Sequence, residues 1–193
     1  QSNNWGSDDA ENALQATFRN PSGMAFDSQG NLFVVDGEHR IRKITFTGNT
    51  ARVDTYTGNG QWGNQNGTLA EATFSGPQDI IIDANDVIYI AEHNRIRKIT
   101  PQGVVSTLAG EWWGDNDGSF QTARFRNPSA LAFDSNGNIL VTDDDQSSLR
   151  ILYMSGDKQG QVETRIGKKG AGFADGAFSE AKLNRPRGVV ATA

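Results

Sequence analysis

The chain has 193 residues, of which 36% are hydrophobic and 21% charged, and its formal net charge at pH 7 is −5. This length suffices for one domain with a core or for part of a larger one, and the acidic balance argues against a nucleic acid as the main partner. The lack of cysteine excludes disulfides, thiolate metal sites and cysteine catalysis. No apolar run approaches the ~20 residues that span a bilayer, so we expect no membrane insertion.

An internal repeat determines the predicted architecture. Residues 18–27 (FRNPSGMAFD) return as 74–83 (FSGPQDIIID) and again as 125–134 (FRNPSALAFD), and a fourth copy begins at residue 183. The prolines of these copies are 56, 51 and 58 residues apart, at Pro21, Pro77, Pro128 and Pro186.

Each copy divides into four short segments that are rich in β-branched and aromatic residues and lack the period of a helix. In the first copy, residues 24–26 are apolar, 32–35 are nearly as apolar, 41–46 alternate with Arg and Lys, and 53–57 resemble a half-exposed edge strand. We therefore predict four strands per copy, twelve in three sheets, with almost no helix. A further first strand is predicted over 188–191.

The first segment of each copy is the most apolar, which predicts burial on both of its faces. We expect its last residue (Phe26, Ile82 or Phe133) to be nearly inaccessible to solvent. The Asp-rich stretch that follows, such as 27–31 or 134–138, predicts a hairpin turn, because Asp caps tight turns and Gly or Asn tolerates a positive φ. A calcium loop would need a carboxylate at its twelfth position and a flanking helix, whereas an apolar strand begins here.

These motifs carry a family resemblance. The pattern P-x-G-[apolar]₃-D-x-x-G-N, continued through residues 36–41 (DGEHRI) into I-R-K-I, resembles the NHL repeat. The second copy is one residue shorter in this turn, and the third lacks the His. The resemblance covers nearly the whole chain and implies a β-propeller, which in this family most often has six four-stranded blades around an axis.

The predicted blades follow the repeat. Residues 18–73, 74–124 and 125–182 form three NHL blades, 1–17 end the connection from a preceding blade, and 183–193 supply the first strand of a following one. Three blades do not complete a six-bladed ring. The chain is either a segment of a longer propeller, which its ends within motifs favour, or one half of a ring that a homodimer completes.

The resemblance implies a scaffold whose members include lyases and lactonases with a central metal as well as binders of RNA or protein. A metal enzyme needs several converging His or carboxylates, and this chain has two His. Both, His39 and His93, occupy the recurring turn, so we expect structural roles and no cofactor. The basic residues of the third segments, Arg42-Lys43, Arg97-Lys98 and Arg150, are expected to form a solvated stripe and not a nucleic-acid site.

Residues that occur in one copy only are freer to serve a ligand than residues that every copy repeats. Trp112, the acidic run 143–145 and the pair Lys168-Lys169 have no full counterpart. We predict a ligand-binding face made by the inter-blade connections and the turns between second and third strands. Its candidate residues are Trp62, Trp112, Trp113, Asp36, Glu92, Asp144 and Asp145.

Aromatic rings among carboxylates suit a carbohydrate ligand, and they equally suit a protein partner. A third alternative is that these rings pack inside their own loops. We expect Trp112 to be more exposed than Trp62 and Trp113, which should fill a pocket that each blade repeats.

The sequence thus predicts a non-enzymatic recognition scaffold that binds a protein or a carbohydrate, located outside the cell or at a bacterial surface. The alternative is part of a propeller enzyme of the lyase or lactonase type whose metal ligands lie in other blades.

Overall fold

The computed structural model describes residues 6, 8–168 and 170–192. Lys169 and part of the predicted 1–17 connection lie outside the described residues. The described residues form fourteen β-strands and one short 3₁₀ helix, Ala13–Gln15, and contain no α-helix. None of them belongs to a helix with the length and apolar character that crossing a membrane requires. The predicted all-β architecture of three antiparallel sheets is confirmed.

The first sheet has four strands in chain order, joined by tight turns. Gly30 and Gly48 have φ values of 80° and 57° in two of these turns, a conformation that glycine adopts without strain. The strands are β1 (Met24–Phe26), β2 (Leu32–Asp36), β3 (Arg40–Thr47) and β4 (Thr50–Thr57).

The second and third sheets repeat this order and add a fifth strand at the β4-equivalent edge. The second sheet contains β5 (Gly67–Thr68), β6 (Pro77–Ile82), β7 (Ile88–Glu92), β8 (Arg95–Ile99) and β9 (Val104–Ala109). The third contains β10 (Gly118–Ser119), β11 (Pro128–Phe133), β12 (Ile139–Asp143), β13 (Ser148–Leu152) and β14 (Gln161–Ile166).

The fifth strands correct our prediction of four-stranded blades. Gly67 pairs with Val105 and Gly118 with Val162, so the connection before each sheet supplies its outermost strand. In the first sheet, Ala10 exchanges two main-chain hydrogen bonds with Val53 in the same way. The physical reason is that an uncovered edge strand leaves a row of unpaired N–H and C=O groups.

Two further predictions are wrong. Phe26 is exposed, and Ile82 and Phe133 are half-buried, because each is the last residue of its strand, at the rim of the sheet beside a turn. The buried positions lie two residues earlier, as Ile80 and Leu131 show. Residues 188–191 form no strand, since no described strand lies beside them to complete a ladder.

The chain divides into two compact units. The first comprises the residues up to Ile90 together with Lys98–Ser106, and the second comprises Ala91–Arg97 and the residues from Thr107 onward. The core of the first unit consists of Phe33, Val35, Ile41, Ala72, Phe74, Ile80, Ile88, Ile90, Ile99 and Val105. The large buried hydrophobic residues of the second unit include Phe125, Leu131, Ile139, Val141, Leu152 and Val162.

Candidate ligand-binding site

Three arginines at one repeated position are the largest fully buried side chains among the described residues. They are Arg42, Arg97 and Arg150, each on the third strand of its sheet. Our prediction of a solvated basic stripe is therefore wrong for these residues. A guanidinium is buried only where charged or polar partners replace its water, and the repeat supplies such partners in every sheet.

The partners include carboxylates at the end of the second strand. Arg42 Nη1 donates to Asp36 Oδ2 at 3.1 Å, and Arg97 Nη1 donates to Glu92 Oε1 at 2.9 Å. All four side chains are inaccessible to solvent. Asp36 and Glu92, predicted to bind a ligand, are inaccessible to solvent, and each instead helps to neutralise a buried arginine.

The third sheet varies this arrangement. Asp143 accepts main-chain hydrogen bonds from Arg126 and Asn127 at 2.9 and 2.8 Å. Burial raises the pKa of the Asp143 carboxyl, and these N–H groups and Arg150 act against that rise. Burial also lowers the pKa of Arg150, which is opposed chiefly by the carboxylate of Asp117.

Two of these arginines, Arg42 and Arg150, also hold the connection that precedes their sheet. Arg42 Nη2 donates to Asp9 Oδ1 at 2.8 Å. At the equivalent place, Arg150 Nη2 donates to the main-chain oxygen of Asn116 at 2.8 Å and to Asp117 Oδ1 at 2.9 Å. In both cases a side chain on a rigid strand holds an irregular connection in place. Functional side chains are often carried by loops that a rigid scaffold positions in this way.

The second compact unit contains a cleft of about 570 Å³. The connection before the third sheet, which includes Asp115, Asp117 and Arg126, forms one of its walls. The turn between β12 and β13 forms another wall, and the segment after β14 forms a third. The lining residues are Asp115, Asp117, Arg126, Asp145, Gln146, Ser147, Thr164, Gly167, Lys168, Gly170 and Ala171.

The first wall carries charges of both signs, and one of its charged residues lies against an aromatic ring behind it. Arg126 Nη2 donates to Asp115 Oδ2 at 2.8 Å, and its guanidinium carbon lies 4.8 Å from the centre of the Trp113 ring. Gln146 Nε2 donates to the main-chain oxygen of Asp115 at 3.5 Å, which links the turn to the connection. Both charged side chains are partly exposed, so a ligand in the cleft can reach them.

Deeper in the cleft, Asp117 Oδ1 accepts hydrogen bonds from Arg150 and from Thr164 Oγ1. Its second oxygen, Oδ2, lies 4.0 Å from Nζ of the exposed Lys168. Lys168 is therefore an exposed cation lining the cleft, whereas two hydrogen bonds hold Asp117 in place.

The predicted tryptophans do not fill pockets. Trp62, Trp112 and Trp113 are 60%, 64% and 57% exposed, which is the order we predicted but with only a small difference. Trp62 lies edge-on to His39 in the first unit, with ring centres 5.2 Å apart. Of the three, Trp113 contacts a residue that lines the cleft.

The two remaining predicted carboxylates behave differently from each other. Asp144 is buried and accepts hydrogen bonds from Arg185 Nε at 2.9 Å and Arg187 Nε at 3.0 Å. Burial acts to raise the pKa of Asp144, but these arginines outweigh it and hold the pKa below its ordinary value. Asp145 lines the cleft and lies 3.6 Å from Arg185.

Sequence reasoning missed Asp115, Asp117, Arg126 and Gln146 as site residues. One of them carried a signal, because Asp115 stands where the preceding connection has the uncharged Asn64. A residue type that the preceding connection does not repeat is the criterion that we applied to Trp112, whereas Arg126 repeats Arg19 of the first copy.

The histidines take no part in the cleft. The main-chain N–H of Gly76 donates to His39 Nδ1 at 3.2 Å, which supports the structural role expected for this residue. Within the described part of the chain, no group of three or more His, Cys, Asp or Glu is arranged to hold a metal ion.

Comparison with known proteins identifies the fold. A solved protein of unknown function from Bacteroides thetaiotaomicron VPI-5482 matches 88% of this chain with a TM-score of 0.69 and 24% identity. An auxiliary nutrient-binding protein from the same organism matches 87% with a TM-score of 0.63 and 18% identity. The fold is that of a β-propeller. Each sheet is thus a propeller blade, and the chain spans 42% of the length of each of these two proteins.

This chain also matches a small part of a much longer curated protein. The chloroplastic protein SUPPRESSOR OF QUENCHING 1 of Arabidopsis thaliana is 29% identical over 170 residues, which are 81% of this chain and 16% of that protein. No family model matches the chain.

Proposed function

We propose that this chain is a recognition module without catalytic activity and that the cleft beside its third sheet binds a carbohydrate. The observation that carries the proposal is the set of side chains on the cleft walls. Sugar hydroxyls donate and accept hydrogen bonds at the same time. The cleft offers carboxylate acceptors at Asp115 and Asp145, and it offers donors at Arg126, Gln146 and Lys168.

The shape of the cleft fits this ligand class. Its volume lies within the roughly 300–1,000 Å³ of small-molecule sites. Trp113 stands beside Arg126 with more than half of its surface exposed. A flat exposed ring next to hydrogen-bonding groups supplies the apolar platform on which the C–H face of a sugar stacks.

A protein partner is the second candidate, and the other tryptophans favour it. Trp112 and Trp62 are about as exposed as Trp113, and none of the three lines the cleft itself, although Trp113 lies against the lining residue Arg126. Large exposed aromatic rings are enriched at the centres of protein interfaces.

The repeats themselves are proposed to be of the NHL type, with blades at 18–73, 74–124 and 125–182. The support is the recurring motif and the buried arginine that each copy places on its third strand. We also propose a location outside the cell or at its surface. The chain's abundance of Asn, Gly and Thr and its lack of cysteine support this placement.

A binding screen tests the carbohydrate proposal. The chain is titrated calorimetrically with a panel of neutral, acidic and amino sugars, and the best ligand is retested on Asp145→Asn and Lys168→Met. Both side chains are exposed, so both variants should fold. The matched control is Asp157→Asn, an exposed carboxylate in the turn before β14 that does not line the cleft.

We expect the two cleft variants to lose about tenfold or more in sugar affinity, as the loss of a charged hydrogen bond implies, while the control keeps it. Binding that survives both cleft variants, or no binding to any sugar of the panel, would overturn the proposal. In the second case, pull-down through an immobilised chain with and without Trp112→Ala examines the protein candidate.

A further inference from the structure

The three carboxylates among the described residues that line the cleft each lie beside an arginine. The pairs, with their N–O distances, are Asp115 with Arg126 (2.8 Å), Asp117 with Arg150 (2.9 Å) and Asp145 with Arg185 (3.6 Å). Two of these arginines, Arg150 and Arg185, are not lining residues, so they compensate the walls from outside the cleft. A ligand that brings a positive charge would therefore meet carboxylates that already have a cationic neighbour.

Lys168 is a cation of the cleft that has no such partner at close range. Its Nζ lies 4.0 Å from Asp117 Oδ2, which is longer than a hydrogen bond, and Asp117 already accepts from Arg150 through its other oxygen. The structure gives Lys168 no other ion pair or hydrogen bond with a described residue, and its side chain is 58% exposed. Its charge is therefore available to an anion in the cleft.

The repeat shows which part of this arrangement is particular to the third copy. After the last strand of each sheet, a glycine with a left-handed backbone is followed by an exposed residue. These pairs are Gly58-Asn59, Gly110-Glu111 and Gly167-Lys168, and the φ values of the glycines are 87°, 80° and 94°. The exposure of Lys168 thus belongs to the repeated turn, because it recurs in the first and second copies, whereas the positive charge is specific to the third.

Arg126 offers further hydrogen-bond donors on another wall of the same cleft. Its Nη2 donates to Asp115 at 2.8 Å, whereas its Nη1 makes no hydrogen bond with a described residue. Its guanidinium carbon lies 4.8 Å from the centre of the Trp113 ring, which restricts how the side chain can turn. Because the N–H groups of a guanidinium are fixed in one plane, they match the two oxygens of a carboxylate.

We infer that the cleft selects a sugar that carries a carboxylate, such as a uronic acid. The inference rests on the proposed carbohydrate function and names its ligand class. The carboxylate of the sugar accepts hydrogen bonds from Lys168 and Arg126, and such charge-assisted bonds are roughly twice as strong as neutral ones. The sugar hydroxyls donate to Asp115 and Asp145, which keep their arginine partners. The chain as a whole is acidic, so the selection depends on these local contacts and not on its net charge.

Calorimetry with matched pairs of sugars tests the inference on the chain as it is. The pairs are glucuronic acid and glucose, galacturonic acid and galactose, and mannuronic acid and mannose, all as methyl glycosides that differ at C6 alone. We expect the acid of the best-bound pair to bind at least about tenfold more tightly than its neutral partner, as charged hydrogen bonds imply. Lys168→Met should abolish this preference by weakening the acid and not the neutral sugar, whereas Lys168→Arg should retain it.

The matched control is Lys158→Met, which removes an exposed lysine that pairs with Glu163 and does not line the cleft, and it should keep the preference. Circular dichroism checks that each variant is folded, and Lys168→Gln replaces Lys168→Met if it is not. A neutral or amino sugar that binds as tightly as the acid, while Asp145→Asn still weakens it, would overturn this inference and leave the carbohydrate proposal standing. A preference that survives the loss of the Lys168 charge would overturn it too, and no binding by any sugar would overturn both proposals.

Discussion

Arg97 Nη1 lies 2.9 Å from Glu92 Oε1, and neither side chain is accessible to solvent. The two residues stand on neighbouring strands, β8 and β7, of one sheet. Because both charges are removed from water, each needs a close partner of opposite charge, and this ion pair supplies one. We therefore expect the pair to contribute to the stability of the blade.

Removing one partner of this pair should be costly. We expect Arg97→Met to lower the free energy of unfolding by about 3–5 kcal/mol, because Glu92 is left as a buried charge. The double variant Arg97→Met/Glu92→Leu should recover much of that loss. Urea denaturation measures both, with Lys158→Met as the control, since the pair Lys158–Glu163 is equally short at 2.8 Å but exposed. A single variant as stable as the wild type would contradict a structural role.

Acidification should destabilise the chain through His39. Burial lowers the pKa of His39 below its ordinary 6.5, and Gly76 N–H donates to the ring nitrogen that a proton would occupy. Below that pH the unfolded chain binds the proton more readily than the folded one, so stability falls as the pH drops through 6.5 and is regained as it rises.

Urea midpoints measured across this pH window check the effect. His39→Gln should remove that part of the pH dependence, whereas His93→Gln, in the corresponding turn of the second sheet and exposed, should retain it. The same slope in wild type and His39→Gln would assign the effect to other groups.

Two adjacent tryptophans should differ in their effect on sugar binding. Neither ring lines the cleft itself, but Trp113 lies against Arg126, which does. We expect Trp113→Ala to weaken binding of the best sugar by about 1–3 kcal/mol, as at binding hot spots, and Trp112→Ala to leave it unchanged. Both variants should keep nearly the stability of the wild type, since both rings are exposed. Calorimetry gives the affinities, and the reverse order would place the site at Trp112.

Two glycines with the same backbone conformation should tolerate alanine unequally. Gly110 and Gly137 have φ values of 80° and 77°. A Cβ at Gly110 would lie 2.6 Å from the main-chain oxygen of Asn94, whereas a Cβ at Gly137 meets nothing within 4 Å. We expect Gly137→Ala to cost about 1 kcal/mol, from the left-handed backbone alone, and Gly110→Ala to cost at least about 2 kcal/mol. Thermal unfolding separates them, and equal losses would show that the close approach at Gly110 is harmless.

The repeat allowed most of the fold to be predicted from sequence. The first strand was predicted over 24–26 and is Met24–Phe26, and the third was predicted over 41–46 and is Arg40–Thr47. The strands β5 and β10 escaped prediction because two residues are too few to carry a period. Their pairing is decided by the neighbouring sheet edge and not by their own composition.

The site was harder to predict than the fold. Asp36 is the last residue of β2, Asp145 lies in the turn after β12, and the residue type alone does not show that the first is buried and the second exposed. Whether a carboxylate is buried depends on whether it lies beside the buried arginine of the neighbouring strand. The pairing register of the two strands decides this. The cleft itself joins three segments that are separated in sequence by up to about fifty residues, so its composition became apparent once their contacts were known.

Because the third sheet includes the short strand β10, the structural repeat begins several residues before the sequence motif does. All five strands of the third sheet lie within residues 118–166, but its sequence motif begins only at 125. A module cut at the motif leaves its outermost strand behind in the donor protein, whereas one cut before Gly118 carries a complete sheet. Recombination between such proteins should therefore tolerate crossovers ahead of the short strand better than crossovers at the proline motif.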